Sequence, residues 1–375
     1  MFNCVICAGE LKLVDPSVYN FNLVTSDCRI WGERAELGYC TTCGLVQRPR
    51  TVQWQEQCNK IYSTYEAYRQ GLKEEQKIFN TQGLSEARSS RLLRYFFSEF
   101  NISKGKWLDY GCGDGSFLSA LSSMSLDLQL AGFDVSSHNR DKVEESGAKF
   151  YSNLSCLDGK YDVISLVHVL EHFVDPINCL VRLVDYLEDD GLILVQVPSY
   201  KINPFDLAIY DHASFFSEET LEHTLHCAGF KICKMTDAII LKEVTTVCRN
   251  SSSGKISASS KLSALGTSEL VSMSKQNIEA SLDILSHILN EALSRSQSSQ
   301  INVFGTSIGA SWLTANLDSR SIQYYLDEDT SRVGHMFFEK EIIAPTLATI
   351  KDTVFPLPPR ISDSIMARFH NERKY

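Results

Sequence analysis

The stretch Trp107-Leu-Asp-Tyr-Gly-Cys-Gly-Asp-Gly115 decides the fold class of this 375-residue chain. A short apolar run ends at Asp109, and glycines then alternate with other residues before the helical run 116–121. Glycine lets a backbone turn sharply and approach a ligand that a Cβ atom would exclude. The next apolar run ends at Asp134, about as far along the chain as doubly wound folds place an acid against ribose hydroxyls. We therefore predict an α/β chain with a doubly wound, Rossmann-like core and a ligand loop at 109–115.

The spacing of the glycines indicates which ligand the loop accepts. A nicotinamide dinucleotide is bound by G-x-G-x-x-G, whose amides approach a pyrophosphate at a helix N-terminus. Here the pattern is acid-x-G-x-G-x-G, and the carboxylates of Asp109 and Asp114 would repel a diphosphate. S-adenosylmethionine fits better, because it carries an ammonium group, a ribose and a sulfonium but no phosphate.

At this point the chain resembles the class I S-adenosylmethionine-dependent methyltransferases. The segment Tyr161-Asp-Val-Ile-Ser-Leu-Val-His-Val-Leu-Glu-His172 matches their fourth strand and the turn that follows it. Asp134 would bind the ribose of the donor, and the loop 109–113 would hold its amino-acid end. The predicted donor-binding residues are Asp109, Gly111, Gly113, Asp134 and His168. The alternative is an ordinary doubly wound domain whose glycine loop binds no such ligand.

The composition and charge of the chain indicate which broad class of protein it belongs to. Hydrophobic residues make up 43% and charged residues 22% of the chain, as in ordinary soluble globular proteins. The net charge of -10 argues against a general nucleic-acid binder, which normally carries a basic face. No apolar run reaches the roughly 20 residues that cross a bilayer, and the first residues do not resemble a signal peptide. We expect a cytoplasmic protein with no nucleic-acid or membrane partner.

Two cysteine pairs predict a metal site in the first 58 residues. Cys4-Val-Ile-Cys7 and Cys40-Thr-Thr-Cys43 can each present two thiolates to one ion, and four thiolates satisfy tetrahedral zinc. We predict a structural zinc ion bound by Cys4, Cys7, Cys40 and Cys43, in a unit with a small sheet. Cys28 and Cys58 are expected to be free thiols. The alternatives are a set of buried free thiols or a redox dithiol, which two matched pairs fit less well.

Periodicity divides the rest of the chain. The segment 60–100 is predicted to be helical, with an apolar face at Leu92, Leu93 and Phe96 that would pack on the sheet. From about 105 to 250, strands and helices alternate as a doubly wound sheet requires. The strand candidates are 107–109, 128–134, 148–151, 161–167 and 192–197, with a closing hairpin at 231–236 and 239–247. The helix candidates are 115–124, 137–146, 176–187 and 218–228, the last after an N-cap at Ser217.

The remainder of the chain predicts a linker, a helix and a second α/β unit. A serine-rich segment at 250–262 breaks the alternation, and a helix is expected at 268–294. The turn Gly305-Thr-Ser-Ile-Gly309, with acids at 327–329, is similar to half a dinucleotide fold, but the third glycine is missing and an independent NAD site is not favoured. We predict four units: a zinc-binding domain at 1–58, a donor-binding methyltransferase domain with a helical lead-in at 59–250, a linker and helix at 251–300, and a C-terminal α/β domain at 301–375.

Candidate reactive residues follow the ends of the predicted strands, where ligands bind in such sheets. His168 and His172 leave the fourth strand, and a long loop follows the fifth; long loops in compact domains are usually functional. That loop carries Asp211-His212, an acid beside an imidazole that can supply or orient a base near neutral pH. The alternatives are structural histidines with satisfied hydrogen bonds and a solvent-facing pair that caps the loop.

The chain as a whole resembles the deoxysugar C-methyltransferases of antibiotic pathways and their bacterial relatives. The features that carry the resemblance are the paired cysteines, the methyltransferase core and a C-terminal unit that begins Val303-Phe-Gly-Thr306. In that family the histidine after strand four, the acid–histidine pair and a tyrosine near the start of the core lie around the sugar. The matching residues here are His172, Asp211, His212 and Tyr65. The chain departs from the family pattern at several positions. In the strand-four motif it has His168 and Glu171 where the family has Asn and Ala. It also has Ile209 in place of Tyr and Asp211 in place of Glu, and its C-terminal glycine turn lacks the usual lysine.

The resemblance implies an enzyme that uses S-adenosylmethionine to C-methylate a nucleotide-linked keto-deoxysugar. His212 would take a proton beside the carbonyl, and Asp211 would orient this ring. His172 or Tyr65 would stabilise the resulting oxyanion. The alternatives are an O- or N-methyltransferase on another small-molecule or glycan acceptor, and a non-enzymatic zinc-containing binding protein. The sequence leaves the oligomeric state open.

Overall fold

The computed structural model describes residues 2–66, 75–80, 83–250 and 266–371. The predicted linker lies outside the described residues, except for Asn250, which ends a strand. Among the residues described, no helix has both the length and the apolar composition that are needed to cross a membrane.

The N-terminal unit is a small antiparallel sheet followed by a helix. Its elements are β1 Phe2–Asn3, β2 Glu10–Leu13, β3 Leu23–Val24, β4 Ile30–Trp31, β5 Gly38–Cys40, β6 Val46–Gln47 and helix α1 Val52–Ser63. Strands β1, β2, β5 and β6 lie side by side in that order, whereas β3 and β4 pair with each other. Thr51 caps α1 by accepting a hydrogen bond from the Trp54 amide. This helix crosses the predicted domain boundary between residues 58 and 59.

A hairpin lies between α1 and the central sheet, so the prediction that 60–100 is helical is wrong there. Strands β7 Lys77–Phe79 and β8 Ser85–Ala87 pair antiparallel. At the turn, the side-chain oxygen of Asn80 accepts a backbone hydrogen bond, and Gly83 has a φ of +78°. Asparagine and glycine favour turns of this kind over a continuing helix.

A sheet of seven described strands forms the core of the chain. The strands that follow the hairpin are β9 Lys104–Tyr110, β10 Asp127–Phe133, β11 Lys149–Tyr151, β12 Tyr161–Val167, β13 Leu187–Pro198, β14 Ser214–Phe215, β15 Phe230–Thr236 and β16 Glu243–Asn250. The order across the described part of this sheet is β11-β10-β9-β12-β13-β16-β15. Strand β16 runs antiparallel to both of its neighbours, and the other pairs are parallel. The predicted doubly wound sheet with a closing hairpin is confirmed, and β14 joins the N-terminal sheet at β6.

Helices pack on this sheet where the sequence predicts them. Their bounds are α2 Arg88–Glu99, α3 Ser116–Ser122, α4 Arg140–Glu145, α5 Pro176–Leu183 and α6 Glu218–Cys227. The predicted apolar face of α2 is buried, and the ring centroids of Phe96 and Trp107 lie 4.9 Å apart. The predicted N-cap Ser217 forms a capping box with Thr220 at the start of α6.

The C-terminal unit is a second, smaller α/β unit. Its elements are α7 Thr267–Ser296, β17 Ile301–Phe304, α8 Ile308–Ala315, β18 Ile322–Leu326, β19 Met336–Phe337, β20 Lys340–Ile343, β21 Thr353–Val354 and α9 Pro359–Asn371. The described strands lie in the order β19-β20-β18-β17-β21, with β20, β18, β17 and β21 parallel. Gly309 is required at the start of α8, because a Cβ there would lie 1.9 Å from the carbonyl oxygen of Pro356.

The loop after β13 lies between the two smaller units and shares an apolar core with both. The ring of Trp312 in α8 lies edge-on to those of Phe21 and Phe205, with 5.5 Å between ring centroids in each pair. Ser281 of α7 donates a hydrogen bond to the carbonyl oxygen of Tyr200 in the same loop. Because β14 also pairs with β6, the loop that carries His212 is held on two sides.

Candidate active site

A cavity of about 660 Å³ lies where the carboxyl ends of the central strands meet the C-terminal unit. Its lining includes the glycine loop after β9, the turn after β12, the loop after β13 and the glycine turn after β17. A volume of this size is in the range of small-molecule sites. The predicted residues in its wall are Tyr65, Asp109, Gly111, Gly113, Asp134, His168, His172 and His212. Asp211 is fully buried behind this wall.

The glycine loop needs glycine at the predicted positions. Gly111, Gly113 and Gly115 have φ values of +79°, +52° and +79°, a region that L side chains rarely adopt. A Cβ at Gly111 would also lie 2.5 Å from Cγ2 of Val169. The loop therefore passes close to the turn after β12, and both segments line the same cavity.

Asp134 follows β10 and closes the glycine loop. Its Oδ2 accepts a hydrogen bond from the Gly113 amide at 3.0 Å, and its Oδ1 accepts one from the Ser136 amide at 2.9 Å. Burial raises the pKa of Asp134, and the two amide hydrogen bonds oppose that rise. Each carboxylate oxygen keeps a further lone pair, so Asp134 can still accept hydrogen bonds from a diol.

Asp109 lies at the end of β9, at the base of the same loop. It is 3% exposed, and the hydroxyl of Ser165 donates to its Oδ1 at 2.6 Å. Burial raises the pKa of Asp109 to about 7, with Ser165 opposing the rise and the charge of Asp134 adding to it. An ammonium group bound beside Asp109 would favour the ionised form, so this carboxyl can serve as a partner for a cationic ligand.

His168 lies in a cluster of charged groups that the sequence did not reveal. Its Nε2 is 3.0 Å from a guanidinium nitrogen of Arg88 and 3.0 Å from Oε1 of Glu243, and its Nδ1 is 3.4 Å from Oε1 of Glu171. Burial lowers the pKa of His168, but the carboxylates of Glu243 and Glu171 together outweigh it and the net shift is upward. Arg88 begins α2 and Glu243 begins β16, and no local pattern marks either residue as part of a site.

The partner of His212 is Asp206, which corrects the prediction that Asp211 orients this ring. His212 Nδ1 lies 2.6 Å from Asp206 Oδ1, and both side chains are buried. Asp206 lies in a short 3-10 helix, Pro204–Ala208, that brings it back towards the histidine. Burial lowers the pKa of His212, but the carboxylates of Asp206, Glu171 and Asp211 together outweigh it and the net shift is upward. With Nδ1 engaged, Nε2 is the ring nitrogen left for a ligand.

Asp211 binds the N-terminal unit instead. Its carboxylate accepts hydrogen bonds from the amide and the hydroxyl of Ser26, at 2.8 and 2.5 Å. Its Oδ2 lies 3.6 Å from Nδ1 of His172. The two neighbouring residues Asp211 and His212 therefore have different partners, and Asp211 links the loop after β13 to the N-terminal sheet.

His172 lies against His212, and the Tyr62 hydroxyl contacts its Nδ1. The two imidazole centroids are 4.7 Å apart and the rings nearly perpendicular. His172 Nδ1 lies 3.0 Å from the Tyr62 hydroxyl and 3.3 Å from the carbonyl oxygen of Asp211. Burial and the neighbouring His212 lower the pKa of His172. Tyr62 and Tyr65 both line the cavity, and the sequence did not indicate that Tyr62 contacts His172.

The four predicted zinc ligands converge outside the cavity. The Sγ atoms of the cluster lie within 4.8 Å of one another, with 3.6 Å between Cys4 and Cys43 and 3.4 Å between Cys7 and Cys40. Four thiolates around zinc at about 2.3 Å have sulfur atoms about 3.8 Å apart in a tetrahedron, so the cluster fits this ion. Backbone amides donate to the sulfur atoms of Cys4 and Cys40, which stabilises thiolates.

The glycine turn of the C-terminal unit forms the far wall of the cavity. Gly305 has a φ of +85°, and the Thr306 hydroxyl donates to Asp327 Oδ2 at 2.7 Å. Arg332 donates to Thr306 Oγ1 at 2.7 Å and lies 3.5 Å from the Asp327 carboxylate. The turn therefore presents a polar surface whose groups are bonded to one another.

Residues 83–234 match a family model described as a methyltransferase domain. The matched segment includes the glycine loop, Asp134, the turn after β12 and the loop that carries His212. These residues form a methyltransferase domain. The prediction of an enzyme is thereby confirmed, and the alternative of a non-enzymatic binding protein is wrong.

Several solved methyltransferase structures are similar to part of this chain. A methyltransferase from Clostridium acetobutylicum described as S-adenosylmethionine-dependent is 14% identical, with a TM-score of 0.36 over 44% of this chain and 91% of that one. The plantazolicin methyltransferase BpumL, in complex with a substrate analogue and SAH, is 19% identical, with a TM-score of 0.37 over 43% and 82%. The mitomycin 7-O-methyltransferase MmcR is 17% identical, with a TM-score of 0.38 over 44% and 53%. No match to this chain was found among curated proteins.

Proposed function

We propose that the methyltransferase domain moves a methyl group from S-adenosylmethionine to a carbon beside the carbonyl of a nucleotide-linked keto-deoxysugar. The observation that carries this proposal is a single cavity that contains both the glycine loop with Asp134 and the His172–His212 pair. The first set of residues suits the donor, and the second suits the removal of a proton from the acceptor.

The donor side is supported by shape and charge. The glycine loop gives close backbone approach at one end, and Asp134 has free lone pairs for ribose hydroxyls. The carboxyl of Asp109 can pair with the donor's ammonium group. Since a sulfonium is a good leaving group, the protein has only to align the donor methyl with the acceptor and to activate the acceptor carbon.

Activation of the acceptor is assigned to His212. Its Nδ1 is bound to Asp206, so Nε2 can take a proton from the carbon beside the acceptor carbonyl. The resulting enolate attacks the donor methyl, the carbon–sulfur bond breaks, and the carbonyl forms again as S-adenosylhomocysteine leaves. Asp206 stabilises the imidazolium that holds the proton. We assign the hydrogen bond to the enolate oxygen to Tyr65, since this residue lines the cavity.

Deuterium exchange tests this chemistry directly. The purified protein, with S-adenosylhomocysteine in the donor site, should exchange the proton beside the carbonyl of a nucleotide-linked 4-keto-deoxysugar for deuterium from heavy water. His212→Ala should abolish that exchange and still bind donor. With labelled S-adenosylmethionine, carbon-13 spectra should place the new methyl on carbon. A methyl group on oxygen or nitrogen, or transfer without exchange, would contradict the proposal and favour the O- or N-methyltransferase alternative.

We further propose that the four-cysteine cluster holds structural zinc. The support is the sulfur geometry together with a complete set of four thiolates, which leaves no coordination position for a substrate. Metal analysis should find zinc bound to the wild type, and Cys40→Ser should lose it and unfold at lower temperature. A protein that binds no zinc, yet unfolds at the same temperature as one supplied with zinc, would contradict this proposal.

A further inference from the structure

Two imidazoles and a carboxylate meet in the wall of the cavity. Glu171, His172 and His212 each place a candidate ligand atom within 4.8 Å of the other two. Glu171 and His172 are adjacent in the turn after β12, whereas His212 comes from the loop after β13. Two imidazole nitrogens and one carboxylate oxygen form a common donor set for divalent transition metals, with other coordination positions left open.

The hydrogen bonds of the two rings leave the same nitrogen of each ring available. Nδ1 of His212 lies 2.6 Å from the Asp206 carboxylate, which accepts when ionised, so this nitrogen carries the proton. Nδ1 of His172 lies 3.3 Å from the carbonyl oxygen of Asp211, to which the Tyr62 hydroxyl also donates. The Tyr62 hydroxyl lies nearer, 3.0 Å from Nδ1, so these two oxygens occupy Nδ1 of His172 whichever atom carries the proton, and Nε2 is the nitrogen left for a ligand. Metal-binding histidines are oriented in this way, by a hydrogen bond from the nitrogen that does not bind the ion.

The carboxylate of Glu171 is the second observation that points to a cation. Glu171 is 1% exposed, and neither carboxylate oxygen has a hydrogen-bond partner among the described residues. His168 Nδ1 lies 3.4 Å from Oε1, within ion-pair distance but beyond a good hydrogen bond. His168 faces Oε1 only, and Oε2 has no hydrogen-bond partner among the described residues, so a further positive charge would stabilise this buried carboxylate. A cation bound between Glu171 and the two imidazoles would supply that charge.

We propose that Glu171, His172 and His212 form a second metal site, which takes a divalent cation such as Co²⁺, Ni²⁺ or Zn²⁺. Imidazole and carboxylate ligands suit these ions, and three protein ligands leave a position open towards the cavity. The proposal rests on the proposed function in one respect. The Nε2 lone pair that His212 uses as a base is the one that binds the cation, so the bound cation and methyl transfer exclude each other.

Cation binding is tested on the full-length protein after its four-cysteine cluster has been filled with zinc. Calorimetric titration with Co²⁺ should show one further ion per chain, and Glu171→Gln should weaken its binding at least about tenfold. Glu222→Gln is the matched control, because it changes another buried carboxylate to an amide, in α6, and should bind Co²⁺ like the wild type. Equal affinity in wild type and Glu171→Gln would overturn the site. Absence of a further ion would also overturn it, and would leave Glu171 paired with His168 alone.

The visible spectrum of Co²⁺ bound to the wild-type protein gives a second test that does not depend on whether the variants fold. Co²⁺ bound to wild-type protein should show visible bands of nitrogen and oxygen ligation without the intense thiolate-to-cobalt bands of a cysteine site. Thiolate bands would mean that Co²⁺ had entered the four-cysteine cluster, and would overturn the assignment to Glu171, His172 and His212.

Methyl transfer measured in the same titration tests the exclusion. Turnover should fall at the Co²⁺ concentrations that fill the site, and turnover that stays constant or rises with occupancy would overturn the exclusion. The two proposals fail differently. A protein that binds Co²⁺ through Glu171 but never exchanges or methylates the acceptor supports the metal site and refutes the proposed function.

Discussion

The exchange of Asp206 for asparagine tests the proposed base while the base itself stays in place. Asp206 is fully buried, and its Oδ1 lies 2.6 Å from Nδ1 of His212, which is 3% exposed. When His212 takes the acceptor proton it becomes an imidazolium, and the negative charge of Asp206 stabilises it. An amide of the same shape can still meet the ring but cannot supply that charge.

The structure sets the size of the expected effect. A hydrogen bond to a charged group contributes about 1.5–3 kcal/mol. Since about 1.4 kcal/mol is a factor of ten in rate, Asp206→Asn should lower turnover by about 10- to 150-fold. His212→Ala removes the base and should cost about 10²–10⁴-fold. Donor affinity should stay nearly constant in both variants, because the donor is assigned to the glycine loop and Asp134.

The matched control is Asp211→Asn, the same exchange five residues further along the loop. It weakens the hydrogen bonds to Ser26 while leaving the Asp206–His212 pair intact, so it should lower the thermal unfolding midpoint more than turnover. Turnover with labelled donor, deuterium exchange of the acceptor and thermal unfolding would be measured for both variants. Near-normal turnover in Asp206→Asn together with a large loss in Asp211→Asn would refute the pairing and restore the acid–histidine pair predicted from sequence.

Three further changes probe the donor side. Asp134→Ala should weaken calorimetric binding of S-adenosylmethionine by about 1–3 kcal/mol, and unchanged affinity would exclude Asp134 as its ligand. Gly111→Ala should lower the free energy of unfolding more than Gly83→Ala. The two glycines have nearly the same φ, +79° and +78°, so the backbone strain is matched. Of the two, only Gly111 has a described atom in the way of a Cβ, 2.5 Å from it. The pKa of Asp109 is about 7 in the folded protein and about 3.9 in the unfolded chain. Between these values the folded state binds more protons than the unfolded state. The free energy of unfolding of the wild type should therefore fall from pH 4 to 7 relative to that of Asp109→Asn. Urea unfolding of both proteins at pH 5 and 8 measures this, and a constant difference would show that the pKa is not raised.

Much of the fold and part of the site follow from local sequence patterns. The glycine loop, the strand that ends at Asp134 and the cap at Ser217 each depend on residues close together in the chain, and hydrophobic periodicity locates them. The hairpin before α2 was missed because its strands are short and follow a helix. Its turn residues Asn80 and Gly83 were the available signal.

Side-chain partners were predicted less well, because they depend on the path of the backbone between elements. The choice of Asp206 over Asp211 follows from the short 3-10 helix after β13, which no periodicity marks. Arg88 and Glu243 reach His168 from elements that are far apart in sequence. Such contacts form only once the sheet has assembled, so a pattern of residue types cannot specify them.

The N-terminal unit with the four-cysteine cluster is joined to the loop that carries the proposed base, although the cysteines of that cluster do not line the cavity. Cys40 ends β5, and Cys43 lies in the turn that leads into β6. Strand β6 pairs with β14, which begins two residues after His212. The same unit fixes the loop before His212, since Trp54 donates to the carbonyl oxygen of Tyr210 at 3.0 Å. A metal that fixes the β5–β6 turn therefore fixes the backbone on which the proposed base stands. Loss of zinc should lower turnover through misplacement of His212, with donor binding at the glycine loop affected less.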